Sequence, residues 1–144
     1  MRDGFVKVAA VTPKIRVADT KYNAGVIVEG IREAAAAGAK VIVLPELVIT
    51  GYTCSDLFTQ DILLKESKEA LFKIAEYTKE KDAIIFIGVP LAIDGELYNV
   101  AAALNHGEIL GLTTKTFLPN YGEFYEMRQF RPGPDKARWI TLDG

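Results

Sequence analysis

Cysteine and histidine are each present only once in this chain of 144 residues, as Cys54 and His106. A single cysteine excludes a framework of disulfide bonds, and one cysteine with one histidine does not make a metal site. His106 lies between Asn105 and Gly107 in a predicted turn, so a Ser-His-Asp triad would require a distant partner. We therefore predict that the protein holds no metal.

Strong net charge and long apolar runs are also missing. The formal net charge is −2, which offers no general attraction to nucleic acid. The longest apolar runs, such as Val41–Leu44 and Ala83–Val89, are far too short to span a bilayer, and the first residues do not resemble a signal peptide. These absences predict no nucleic-acid partner, no membrane partner and a cytoplasmic location.

What is present is an ordinary globular composition, with 49% hydrophobic and 25% charged residues. The chain is long enough to bury one real core but not two. No internal repeat, low-complexity tract or flexible linker divides it. We therefore treat residues 1–144 as belonging to one domain.

The pattern of apolar residues predicts an alternation of strands and helices. The expected elements are a strand at Val6–Val11, a helix capped by Asp19 or Thr20 and stopped by Gly38, a strand at Val41–Leu44, a helix through Ser67–Thr78 and a strand at Ala83–Val89. The continuous apolar run at Val41–Leu44 is typical of a parallel strand that is covered on both faces. This order predicts an α/β fold.

Two turns then return the chain as antiparallel strands. Asp94–Gly95 forms the first turn, before Leu97–Leu104, and Asn105–Gly107 forms the second, before Ile109–Thr114. The result is a mixed sheet with helices packed on one face, and something else must cover the other face. The segment 139–144 is predicted to be a further strand.

The clearest candidate for chemistry is Glu46, which follows the apolar run Val41–Leu44 and a proline. In open α/β sheets, ligands bind beyond the carboxyl ends of strands, and a partly buried carboxylate there suits a general base. The alternative is that Glu46 caps a helix or lies at the surface, because a motif as short as Leu-Pro-Glu-Leu matches by chance.

Lys115 likewise closes an apolar strand, Ile109–Thr114, and precedes an apolar segment. A lysine in such surroundings can stabilise the oxyanion that develops when an acyl carbon becomes tetrahedral. The alternative is a lysine at a strand end whose stem packs while its ammonium group stays in water.

Aromatic and charged residues are concentrated between Pro119 and Pro132. They are Tyr121, Glu123, Phe124, Tyr125, Glu126 and Arg128. Such a segment suits a loop that contacts a small zwitterion with its carboxylates and rings. The alternative is an ordinary loop whose rings pack on the core and whose charged pairs face water.

Cys54 is a weak candidate for a nucleophile. A nucleophilic thiol needs a base, a cation or a helix N-terminus that lowers its pKa, and the segment Gly51–Asp56 offers at most the start of a helix. A structural, half-buried cysteine is the favoured interpretation.

Three stretches carry a resemblance to a known family: VIVLPELVITGYTCSDLF, IIFIGVPL and LYNVAAALNHGEILGLTTKTFLPNYGEFYEMRQFRPG. Over essentially the whole chain they resemble the nitrilase (carbon–nitrogen hydrolase) superfamily. Within it, GYTCSDLF and LPNYGEFYEMRQF are most similar to the N-terminal glutaminase domains of glutamine-dependent NAD⁺ synthetases. The resemblance implies the N-terminal half of a nitrilase-type α-β-β-α sandwich.

The resemblance also implies a mechanism. In the family, a Glu-Lys-Cys triad hydrolyses the side-chain amide of glutamine, and Glu46 corresponds to the base and Lys115 to the residue that stabilises the tetrahedral intermediate. The glutaminase domain uses no cofactor. Ammonia passes to a C-terminal synthetase domain, where ATP and magnesium are expected.

The resemblance assigns further roles in the loop after Lys115. A second, structural glutamate of the superfamily, eight residues beyond the lysine, corresponds to Glu123. Tyr121 is similar to the tyrosine that helps to hold glutamine, and Phe124 and Glu126 fall in the same substrate-binding loop.

The chain departs from the family at the nucleophile. The family cysteine lies on a strand after the lysine segment, which these 144 residues do not reach. We therefore expect a partial, inactive glutaminase domain that folds only partly alone or is held together as a homo-oligomer. Two other interpretations stay open: a stand-alone nitrilase-type amidase that acts on another small amide, and a non-catalytic module that dimerises through its open sheet face.

Overall fold

A computed structural model describes residues 4–142 and shows a mixed sheet with two α-helices on one face. The elements in chain order are β1 (Val8–Ala10), α1 (Thr20–Ala36), β2 (Val41–Val43), α2 (Asp61–Tyr77), β3 (Ile84–Ile93), β4 (Glu96–Asn105) and β5 (Glu108–Thr114). The strands lie in the sheet in chain order. β1, β2 and β3 are parallel, whereas β4 is antiparallel to both β3 and β5. The predicted fold class is confirmed.

Within the described residues, neither helix is long and apolar enough to cross a membrane.

Helix α1 begins and ends where local chemistry favours it. The Asp19 carboxylate accepts a hydrogen bond from the backbone N–H of Tyr22 at 3.0 Å, so Asp19 is the N-cap. Thr20 is the first helical residue, and its hydroxyl donates to Glu66 of α2 at 3.2 Å. After the helix, Gly38 adopts φ +87°, a left-handed conformation that glycine reaches without steric cost. Both ends of α1 therefore follow from short-range interactions.

The core lies between the helices and one face of the sheet. Most of its large, fully buried side chains come from both helices and three strands, among them Ile27, Ile31, Ile42, Leu71, Ile74, Ile85, Ile87 and Leu104. Burying each of these side chains contributes about 1.5–3 kcal/mol to folding. Because alternate residues of a strand point to opposite faces, Ile85 and Ile87 face the helices and Phe86 does not.

The opposite face of the sheet carries apolar side chains that no other part of residues 4–142 covers. Val8, Val43, Ile84 and Phe86 lie on it and are 67%, 46%, 39% and 37% exposed. Contiguous exposed apolar side chains mark a surface that something else covers. The prediction that helices cover only one face of the sheet is thus confirmed. That something else covers the opposite face stays a prediction. We call this surface the open face.

The predicted strand at 139–144 is wrong for the residues that the structure describes. Residues 139–142 belong to no strand, and the Trp139 side chain is fully exposed. A strand requires a neighbour that completes its ladder of hydrogen bonds, and within residues 4–142 no strand pairs with this segment. Asp143 and Gly144 lie outside the described residues.

The turn at 45–47 passes directly over β3 at Gly88. A Cβ atom at position 88 would lie 2.3 Å from the backbone nitrogen of Leu47 and 2.5 Å from the carbonyl oxygen of Pro45. Only glycine fits at these distances. Leu47 adopts φ +51° and is fully buried, which anchors the turn against the sheet.

Replacing Gly88 by alanine is expected to lower the free energy of unfolding by about 1–3 kcal/mol, because the added methyl group must displace the 45–47 turn. The matched control is Gly111→Ala in β5, where no atom of residues 4–142 lies within 4 Å of the added Cβ. Urea denaturation followed by circular dichroism measures both changes. A Gly88→Ala variant as stable as the control would contradict this account of the turn.

Candidate active site

Glu46 and Lys115 reach the same place because their strands end at the same edge of the sheet. β5 runs in the same direction as β2, since two antiparallel steps through β4 separate it from β3. The residues that follow β2 and β5 therefore leave the sheet on the same side. The backbone N–H of Lys115 also donates to the carbonyl oxygen of Asn99 at 2.8 Å, which extends the β4–β5 ladder to the lysine.

The register places these side chains on the open face. Gly88 pairs with Ala101, and Ala101 pairs with Thr113. Residues two apart on a strand share a face. Asn99 therefore lies on the same face as Ala101, and Lys115 lies on the same face as Thr113. That face is the one over which the turn carrying Glu46 crosses β3.

The Lys115 ammonium lies between two carboxylates. Its Nζ donates to Oε1 of Glu46 at 2.8 Å and to Oε1 of Glu126 at 2.9 Å. Burial alone lowers the pKa of Lys115, but the hydrogen bonds to the two glutamates together outweigh it, so the pKa is raised. Lys115 therefore carries its positive charge at neutral pH.

Glu126 is the buried member of this cluster, with 5% of the residue exposed. A short 3₁₀ turn, Glu126–Arg128, begins at this residue, and its backbone N–H donates to the carbonyl oxygen of Pro119 at 3.2 Å. The Tyr52 hydroxyl donates to Oε1 at 2.7 Å, and burial together with this hydrogen bond raises the pKa of Tyr52. Oε2 has no hydrogen-bond partner within residues 4–142.

Asn99 contacts Glu46 from the central part of the sheet. Its Nδ2 donates to Oε1 of Glu46 at 2.5 Å, and the residue is 4% exposed. Neither Asn99 nor Tyr52 was among the residues singled out from the sequence. The signal for Asn99 was present, because it is a polar residue inside the apolar strand segment Leu97–Leu104. Tyr52 carries no local signal, since its partner lies in a distant loop.

The structure brings Glu126, and not Glu123, to Lys115. Glu123 is exposed and takes part in no ion pair among the described residues. Glu123 lies eight residues after Lys115, but this spacing does not bring the two side chains together. The path of the loop instead places the 3₁₀ turn that begins at Glu126 beside the lysine. The structural role that the resemblance assigns to Glu123 stays a prediction, as does a part for this residue in binding the substrate.

Aromatic rings connect the loop to the cluster. Tyr121 and Phe124 meet edge to face with ring centres 5.7 Å apart, and Phe124 meets Tyr52 at 6.4 Å. Tyr121 is 71% exposed, so its hydroxyl is accessible. The predicted roles of Tyr121 and Phe124 in binding a substrate remain predictions.

An open cleft of about 320 Å³ lies beside the cluster on the open face. Glu46, Asn99 and Lys115 line it together with the apolar Val43 and Phe86. It offers a proton acceptor and a cation 2.8 Å apart, which suits acyl-transfer chemistry. Within the described residues, no group of three or more potential ligands could hold a metal ion, and a metal-free site stays a prediction.

Cys54 lies in a separate small core. It is 3% exposed, packs with Leu47, Phe58, Leu63 and Phe130, and its thiol donates to the carbonyl oxygen of Thr50 at 3.2 Å. Burial raises the pKa of the Cys54 thiol. The side chain is therefore buried more deeply than the half-buried placement predicted from the sequence, and this burial supports the structural interpretation of the cysteine.

Comparison with known proteins identifies the family. The profile of the family described as Carbon-nitrogen hydrolase matches residues 7–143. The glutamine-dependent NAD(+) synthetase of Mycobacterium leprae is 36% identical over 139 residues, which are 96% of this chain and 20% of that protein. The crystal structure of a glutamine-dependent NAD(+) synthetase from Cytophaga hutchinsonii superposes with a TM-score of 0.89 and 32% identity, covering 96% of this chain and 23% of that chain.

A more distant structure shares the fold. An amidase from Nesterenkonia sp. superposes with a TM-score of 0.75 and 23% identity, covering 99% of this chain and 53% of that chain.

The chain spans about 20% of the length of the curated synthetases that it matches. The resemblance based on the sequence motifs is confirmed, because the family profile covers nearly all of the residues. The chain belongs to the carbon–nitrogen hydrolase family.

Proposed function

We propose that this chain is part of a glutamine amidohydrolase domain and supplies its general base and its oxyanion-stabilising cation. The observation that carries the proposal is the Lys115 ammonium, held 2.8 Å from Glu46 in an open cleft. Membership of the carbon–nitrogen hydrolase family supports amide hydrolysis. Similarity to synthetases that are named as glutamine-dependent supports glutamine as the substrate.

In this mechanism, Glu46 takes the proton of a cysteine thiol, and the thiolate attacks the side-chain amide carbon of glutamine. Lys115 stabilises the negative charge that develops on the amide oxygen. Glu46 then gives the proton to the leaving nitrogen, so ammonia departs and a thioester remains. Water hydrolyses the thioester to glutamate and restores the thiol.

Cys54 is not the nucleophile in this proposal. Its thiol is buried in a separate core, donates to a backbone carbonyl group and has a raised pKa, so the reactive thiolate is disfavoured at neutral pH. We place the nucleophile on a segment after Lys115 that lies beyond Gly144.

The loop after Lys115 is proposed to bind glutamine through Tyr121, Glu123 and Phe124. The exposed carboxylate of Glu123 suits the ammonium group of an amino acid, and the accessible hydroxyl of Tyr121 can donate to its carboxylate. Glu126 belongs to the same loop, and its hydrogen bond to Lys115 supports a role in holding the lysine in place.

The remaining parts of the proposal concern the whole protein. Ammonia passes to a C-terminal synthetase domain that uses ATP and magnesium to make NAD⁺ from deamido-NAD⁺, while the hydrolase domain works without a cofactor. We also propose a cytoplasmic homo-oligomer without nucleic-acid or membrane partners. The names of the relatives, and the small share of their length that this chain covers, support a larger bifunctional protein.

The 144-residue chain alone is expected to release no ammonia from glutamine, because its one cysteine, Cys54, is buried in a separate core and does not line the cleft beside Glu46. A polypeptide extended to include the cysteine-bearing segment should release ammonia, and Glu46→Gln or Lys115→Ala should lower its rate about a hundredfold or more. Glu76→Gln and Lys79→Ala, an exposed pair of the same residue types at 3.2 Å, are the matched controls and should retain full activity.

Each outcome of this ammonia assay separates the alternatives. Glutamine hydrolysis by the short chain that disappears in Cys54→Ala would overturn the proposed nucleophile. An extended polypeptide that hydrolyses another small amide but not glutamine would favour a stand-alone amidase. An extended polypeptide without any amidase activity would favour the non-catalytic module.

Cys54 in the folded chain is expected to react with iodoacetamide at least about tenfold more slowly than in 8 M urea, because burial blocks access and raises the pKa of the thiol. Since the raised pKa keeps the thiol protonated, the rate in the folded chain should increase only as the pH rises above the ordinary range of a cysteine. Mass spectrometry follows the labelling without ambiguity, as the sequence contains one cysteine. Equal rates in both states would contradict the buried placement.

A further inference from the structure

Asn99 is a buried polar side chain that the sheet alone does not explain. It lies within the apolar strand segment Leu97–Leu104 and is 4% exposed, and burying an amide costs free energy unless the amide is hydrogen-bonded. Its Nδ2 donates to Oε1 of Glu46 at 2.5 Å, and its backbone carbonyl oxygen accepts the N–H of Lys115 at 2.8 Å. One residue therefore holds both members of the reactive pair.

Both donors to Glu46 use the same carboxylate oxygen. Oε1 accepts from Nδ2 of Asn99 and from Nζ of Lys115, whereas within residues 4–142 no hydrogen bond reaches Oε2. The side chain of Glu46 is 43% exposed, so without these donors its carboxylate could rotate among several orientations. With Oε1 occupied, Oε2 is the oxygen whose lone pairs are available.

We propose that Asn99 is a positioning residue that orients Glu46 so that Oε2 accepts the proton of the attacking thiol. The inference rests on the proposed function, because it orients the base of that reaction. In the step, the S–H bond of a cysteine thiol breaks, its electron pair stays on sulfur, and the proton forms an O–H bond with Oε2.

The chemistry of the amide suits this role. An asparagine side chain does not titrate, so it donates to Oε1 before and after Glu46 takes the proton. Lys115 can meanwhile turn its charge toward the oxyanion, since Asn99 continues to hold the carboxylate. The two donors thus divide the tasks of orienting the base and stabilising the negative charge.

The contact itself is tested in the 144-residue chain, independently of activity. In spectra of the ¹⁵N-labelled protein, Glu46→Ala should shift the side-chain amide signals of Asn99 and speed their exchange with water. The signals of Asn105 are the internal control, because this residue lies at the other end of β4 and donates to the carbonyl oxygen of Ala83 at 2.9 Å. Asn99 signals that do not respond to Glu46→Ala would overturn the inference.

The role is tested by kinetics of the extended polypeptide with glutamine. Asn99→Leu and Asn99→Asp preserve the approximate size of the side chain but remove its donor, and either should lower kcat about 10–100-fold while KM changes less than about twofold. Two variants are used because one of them could fail to fold, which circular dichroism detects. Asn105→Ala, at the far end of the same strand, should leave both constants unchanged.

The outcomes distinguish this inference from the proposed function. An active unsubstituted protein whose Asn99 variants fold and keep their kcat would overturn the role of Asn99 alone, as would variants that raise KM without lowering kcat. An extended protein that never hydrolyses glutamine would overturn the proposed function, and the role of Asn99 with it.

Discussion

The site depends on one interaction, the pairing of the Lys115 ammonium with Glu46 and Glu126. Two carboxylates directed at one point repel each other, and a buried carboxylate such as Glu126 is costly to desolvate unless it is paired. Lys115 meets both, at 2.8 Å and 2.9 Å, and Tyr52 adds a further donor to Glu126. The lysine is therefore a structural requirement of this part of the molecule as well as a source of charge for chemistry.

The open face and the site are parts of the same surface. Val43 and Phe86, which are exposed on that face, line the same cleft as Glu46 and Lys115. Any group that covers these apolar side chains also displaces water from beside the ion pair, and electrostatic interactions become stronger as water leaves. Covering the open face therefore also strengthens the electrostatic interactions of the site, because both lie along the same cleft.

Most of the fold could be predicted because its determinants are local. The cap at Asp19 and the left-handed Gly38 act within a few residues, and the continuous apolar run that forms β3 is visible in the sequence. The strand predicted at 139–144 was wrong for residues 139–142 because an apolar pattern is not sufficient for a strand. A strand also requires a partner for its backbone hydrogen bonds, which a local pattern does not contain.

By itself, the sequence determined the order of the strands and helices and the position of Glu46 and Lys115 at strand ends. The tertiary structure alone decided which groups meet there. It placed Glu126 in place of Glu123 against the lysine and set Asn99 against Glu46. The physical reason is distance along the chain: Lys115 and Glu46 are 69 residues apart, and their contact depends on sheet register and loop path, which no short segment encodes.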